Sequence, residues 1–214
     1  MNQFDPPYES PIERDFAWSI SKHLSESVEL KKQHRIDTRF GRFYVDLAVL
    51  SSTVRVAFEC DGKEYHLDHL RDECRDALIL SIGGITALYR FEGADIHYHC
   101  DDCLFYIMKN DPWMFSQRGR GNIGRLATDE ARSAVGLSVD GAAEAIENDR
   151  YCGYELGRAQ VVARTEDGNA TPPSWLERRT LANDLGTMRA FISFAKAQQG
   201  ACGFDELFTN FKCA

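Results

Sequence analysis

The sequence predicts an α/β chain, and three observations carry that prediction. Residues 43–50 and the run from Val54 through Glu59 to Asp61 are rich in aromatic and β-branched residues, with Ser51-Ser52 between them as a two-residue hairpin loop. Over 67–82 the period changes, and Leu67, Leu70, Cys74, Leu78 and Ile82 fall on one helical face. Gly83-Gly84 ends that helix, and a further strand over 85–91 leads into a helix over 93–109.

The opening residues supply a helix start. Ser10 stands at the cap, Pro11 at the first helical position and Glu13 at the third, a capping box ahead of the apolar positions Ile20 and Leu24. Capping gives Glu13 a complete structural role. Residues 28–36 read as an edge strand. In the helix over 93–109, Ile96, Cys100, Cys103, Leu104 and Ile107 form a face. The neighbouring His97 and His99 allow a zinc reading, but no second ligand pair lies at a suitable distance, so the cysteines read as small core residues.

Carboxylates interrupt the two central strands. With Leu50 paired to Thr53, Asp46 lies opposite Ala57 and has Glu59 as a diagonal neighbour, roughly 7–8 Å away. Alternation puts Glu59 and Asp61 on that same face and Cys60 on the other. Burying acids in strand interiors is costly without compensation, and a divalent cation is one compensator. Edge-strand acids facing water, or paired with Arg55 or Arg42, are the alternative.

Asp46, the hairpin, Glu59-Cys60-Asp61-Gly62, His66, the Arg75-Asp76 pair on a helix and the strand ending in Arg90-Phe91 together resemble the very-short-patch-repair-endonuclease-like branch of the PD-(D/E)XK nuclease superfamily. The resemblance covers residues 9 to 107. It implies a restriction-endonuclease-like core, a mixed β-sheet flanked by helices, that cleaves nucleic acid with Mg²⁺ or Mn²⁺. Asp46 and Glu59 would be metal ligands, with Asp61 adding a ligand or orienting water. Glu13 acquires a second role, because the first core helix of this superfamily often points a glutamate at the metal. Asp61 stands where the superfamily usually has lysine. This branch commonly lacks that lysine, and His66 becomes the expected general base or leaving-group acid. Arg75 and Arg90 are candidate phosphate contacts. For Arg71 and Arg75, pairing with Asp68, Asp72 or Asp76 within the helix is the competing expectation.

Composition sets the outer bounds. The 214 residues and 43% hydrophobic content suffice for one ample core or two small ones. The net charge of −8 argues against tight nonspecific duplex binding, which depends on neutralising phosphates. By count, residues 1–112 hold 13 Lys and Arg against 20 Asp and Glu, so the excess acid sits with the carboxylate constellation. Seven scattered cysteines and no apolar leader or membrane-length run suggest a reducing cytoplasm.

The sequence divides into a nuclease core over 1–112, a basic Gly-rich linker over 113–126 and a mainly helical accessory domain over 127–214. Arg118 and Arg120 in the linker are candidate nucleic-acid contacts. A long helix over 174–198 and a short aromatic one over 204–211 close the chain. The expected function is a metal-dependent endonuclease, DNA favoured as substrate, acting in defence, repair or a mobile element. The alternative is a catalytically inactive nuclease-fold module that binds nucleic acid or, through the C-terminal region, a protein partner.

Overall fold

The computed structural model describes residues 8–61, 69–129, 131–132, 185–198, 200 and 202–213. The first helix, α1 (Pro11–Ser21), begins as its sequence dictates: Ser10 Oγ accepts the Glu13 N–H at 3.2 Å, and Pro11 occupies the first turn, where no N–H is needed. Phe16, Ala17 and Ile20 face inward, while Trp18 lies on the solvent side.

Strands β1 (Glu29–Thr38), β2 (Gly41–Leu50), β3 (Arg55–Asp61) and β4 (Ala87–Glu92) form one sheet in the order β1-β2-β3-β4. The first two pairings are antiparallel and β3–β4 is parallel, so the sheet is mixed and open. The parallel step requires a crossover, and helix α2 (His69–Ile82) provides it.

The β2–β3 register differs from the expectation. Leu47 pairs with Phe58 and Leu50 with Arg55, so the loop has four residues, Ser51 to Val54, instead of two. Ser51 explains the longer turn: its Oγ accepts the Val54 N–H at 2.9 Å, and its own N–H donates to the Val54 carbonyl at 2.9 Å. The slide amounts to two residues, one full side-chain period, so over the paired residues 47–50 and 55–58 it leaves the faces unchanged. Continued one step, this register sets Asp46 across from Glu59 itself.

Two hydrophobic clusters sandwich the sheet. One contains Phe16, Ile20, Leu47, Val49, Phe58, Tyr89 and Phe91, together with Leu104 and Ile107 of helix α3 (Gly93–Asn110). The other joins Phe43, Val45, Ala48, Ala57 and Leu88 to Leu78 and Ile79 of α2. Phe43 and Val45 thus belong to one cluster, and Leu47 and Val49 to the other. Side chains of one parity change faces between Val45 and Leu47, at Asp46. On the paired strand the matching position is Gln33, whose φ of 45° lies in the left-handed region.

The Gly-rich segment takes a form its glycines did not suggest. A 3₁₀ turn, Pro112–Met114, leads into helix α4 (Gln117–Leu126), capped by Ser116 Oγ on the Gly119 N–H at 2.9 Å. Gly119 serves close packing: a Cβ there would stand 2.9 Å from the His23 Cα and collide with the His23 carbonyl. Helices α5 (Leu185–Ala197) and α6 (Phe204–Lys212) pack on the α2 side of the sheet, where Phe191, Ile192, Ala195, Leu207 and Phe208 enter the second cluster. Arg71 pairs with Asp205 of α6. No helix among the described residues is long and apolar enough to cross a membrane.

Gly119→Ala should destabilise the protein by about 1–3 kcal/mol through this overlap. Gly124→Ala, on the same helix with open space around it, should be neutral or stabilising by about 0.5–1 kcal/mol. Urea denaturation of both variants checks the contrast.

Candidate functional site

Where β2 and β3 part company, the strands present Asp46 and Glu59. Asp46 is partly buried; its Oδ2 accepts the Cys60 N–H at 2.8 Å and its Oδ1 the Gln33 Nε2 amide at 3.4 Å. No cation pairs with it among the described residues. Burial, and then the Glu59 charge, push its pKa up to about 8, with Glu13 adding to the rise. The Cys60 N–H and Gln33 act in the opposite direction without overcoming it.

Glu59 is buried, and its Oε1 accepts a hydrogen bond from Arg75 Nη1 at 2.7 Å. Burial raises its pKa too, against the pull of Arg75 and Arg90. Glu13 joins from α1. Its Oε2 accepts the Glu9 N–H and the Gln33 Nε2, each at 3.0 Å. The carboxylate therefore fastens the chain ahead of the helix through Glu9, not through the cap residue Ser10, and shares Gln33 with Asp46.

Gln33 escaped the sequence reading. Its amide nitrogen bridges Glu13 and Asp46, from a backbone conformation that non-glycine residues seldom adopt. The only available signal was its register against Asp46, which the β1–β2 pairing reveals and the local sequence does not.

A second set of charges lies beside the pair. Arg90 donates through Nε and Nη2 to both oxygens of Asp76, at 2.7 and 2.8 Å, and through Nη1 to Asp61 at 2.7 Å. Arg75 also reaches the Tyr44 carbonyl at 2.5 Å. Both arginines proposed as phosphate contacts are thus engaged with carboxylates, and Asp61 is drawn to Arg90. Asp76, expected only as a helical partner for arginine, is buried and organises this network.

Five carboxylates here, Glu13, Asp46, Glu59, Asp61 and Asp76, face two guanidiniums. Among the described residues neither Asp46 nor Glu13 has a cationic partner, which leaves an excess of acid here. That excess, in hard oxygen donors, suits a cation such as Mg²⁺ or Mn²⁺, with Asp46 and Glu59 as the residues to hold it. Among the described residues, no group of three or more His, Cys, Asp or Glu is already gathered at ligating distances; Glu59 and Asp61 point to their arginines.

The expected base His66, with Gly62 and Lys63, lies outside the described residues. Arg118 and Arg120 are exposed on α4, and no ion pair joins them to these acids. Cys103 is fully buried in the first cluster, as a core residue would be. Comparison with protein-family models, with curated proteins and with solved structures finds no match.

The raised Asp46 pKa has a measurable consequence. Its unfolded value is 3.8, so between about pH 4 and 8 the folded state holds a proton that the unfolded state releases. Stability without metal should therefore fall as pH rises through that window. Asp46→Asn, neutral at every pH, should remove this slope. In EDTA the variant should exceed the parent by a few kcal/mol at pH 8, roughly what several pKa units represent, and the difference should nearly vanish at pH 4. Urea unfolding at several pH values tests it.

Proposed function

We propose that this chain is a divalent-metal-dependent endonuclease of restriction-endonuclease-like type, hydrolysing phosphodiester bonds in nucleic acid, with DNA the favoured substrate. One observation carries the reading. Asp46 and Glu59 stand on adjacent antiparallel strands, burial and then the Glu59 charge raise the Asp46 pKa to about 8, and no cation compensates Asp46 among the described residues. Retaining such a pair costs stability, and a cation-dependent function accounts for the cost. The mixed four-stranded sheet with helices on both faces is compatible with the proposed fold.

Asp46 and Glu59 would hold Mg²⁺ or Mn²⁺, which when bound supplies charge neutralisation at the scissile phosphate. Gln33 orients Asp46 and Glu13 by donating to both. Arg75 donates to Glu59 Oε1, and a cation that took Glu59 as a ligand would leave that guanidinium available to phosphate. His66 shuttles the proton in place of the superfamily lysine.

A second reading has its own support. Arg75 on Glu59 and Arg90 on Asp61 satisfy two of the three proposed ligands internally. That arrangement suits an inactive nuclease-fold module binding nucleic acid or a protein.

Calorimetric titration with Mn²⁺ should show one site that Asp46→Ala and Glu59→Ala each abolish; unchanged binding in both variants sinks the metal site. Incubation with plasmid, single-stranded DNA and RNA should give cleavage in Mg²⁺ or Mn²⁺ and none in EDTA. Metal binding without cleavage of any substrate selects the inactive module. On a substrate the parent cuts, His66→Ala should slow cleavage about 10²–10⁴-fold while leaving Mn²⁺ affinity intact.

A further inference from the structure

Beside the acid site lies a cleft of about 440 Å³ that the preceding assignment does not use. Its walls are α1 and β1, and Tyr8, Arg14, Trp18, Leu30 and Lys32 line it. The Glu13–Gln33 hydrogen bond ties the same two elements together, and each lining cation is adjacent in sequence to one member of that bond: Arg14 follows Glu13, and Lys32 precedes Gln33. The lining follows α1 from Arg14 to Ser21, roughly 10 Å at the helical rise.

The lining joins two chemistries. Trp18, in the lining, is 66% exposed and so presents its ring to solvent. Each aromatic ring carries a cation: Lys22 sits over Trp18, and Lys32 Nζ lies 4.4 Å from the Tyr8 ring centroid. Of the lining residues Arg14 and Lys32 are cationic and Asp15 is acidic; Arg14 holds Asp15 at 2.9 Å, and Lys22, over Trp18, adds a cation next to the lining. A local cationic, aromatic surface on a chain of net charge −8 is complementary to a polyanion bearing flat apolar rings.

We propose that this cleft binds single-stranded nucleic acid, a base stacking on Trp18 while Lys32 and Lys22 take the flanking phosphates, and that it thereby feeds an unpaired strand to the Asp46–Glu59 site. This rests on the nuclease reading for its purpose. A duplex does not fit the same chemistry, because its bases are already stacked and cannot present a face to Trp18. Stacking on aromatic side chains is tolerant of sequence, so the cleft selects strandedness over base identity.

Fluorescence anisotropy of labelled dT12, U12 and a 12-base-pair duplex, with the full chain in EDTA, measures binding apart from cleavage. The parent should bind at least one single strand more tightly than the duplex, and comparing dT12 with U12 identifies the favoured sugar. Trp18→Ala should weaken that binding about 5–100-fold, and Trp18→Phe should restore most of it. Lys32→Gln should lower the salt slope by about 0.7, one phosphate contact on a single strand. Unchanged melting temperatures confirm that these surface variants fold. Trp18→Ala binding within twofold of the parent, or a parent preference for duplex, overturns the proposal. If Trp18-dependent binding occurs but nothing is ever cleaved, the catalytic reading fails and the binding site stands. If the Asp46-dependent cleavage occurs and Trp18→Ala leaves binding unchanged, the cleft assignment fails alone.

Discussion

The burial of two carboxylates, Asp46 and Glu59, on the paired strands β2 and β3 is the constraint around which the surrounding structure is arranged. Neither strand can rotate these acids into water without moving its apolar neighbours, since Val45, Leu47, Ala57 and Phe58 are all buried. Compensation is therefore brought to the acids: the Cys60 N–H and Gln33 to Asp46, and Arg75 of α2 to Glu59. Gln33 reaches its position from a left-handed backbone, and the sheet changes faces at the same level. Strain and buried charge coincide, which is the pattern expected where a function outweighs stability.

The arginine network extends this logic to the helix layer. A buried ion pair offers little net stability, because desolvation offsets its Coulombic gain, yet removing one partner leaves an expensive charge behind. Arg75 and Arg90, with Asp76, Glu59 and Asp61, accordingly lock the orientation of α2 against β3 and β4 more than they strengthen the fold. The same bonds restrain the acids. Arg75 Nη1 holds Glu59 through Oε1 and Arg90 Nη1 holds Asp61 through Oδ1.

The C-terminal helices contribute to the sheet's second face. Phe204 stands edge-on to Phe43 with ring centroids 5.5 Å apart, and Arg39 donates to the Ala195 carbonyl. Their aromatic residues complete the cluster that α2 begins, and so support the helix from which Arg75 acts.

Much of this was legible in the chain alone, where local chemistry suffices. The cap at Ser10, the helix from α2's apolar spacing and the strands around Asp46 and Glu59 follow from periodicity and capping, which depend on near neighbours. The hairpin register did not, because Ser51 closes a longer turn through its own hydroxyl, and simple alternation did not foresee the change of faces at Asp46. Gln33, Asp76 and the engagement of Arg75 and Arg90 were decided by the tertiary structure. Their partners lie on other strands and helices, and no local pattern records which distant acid an arginine or amide will meet. Gly119 shows the same division: its sequence context signals flexibility, whereas only the packed His23 backbone reveals that the missing side chain is required for a close approach.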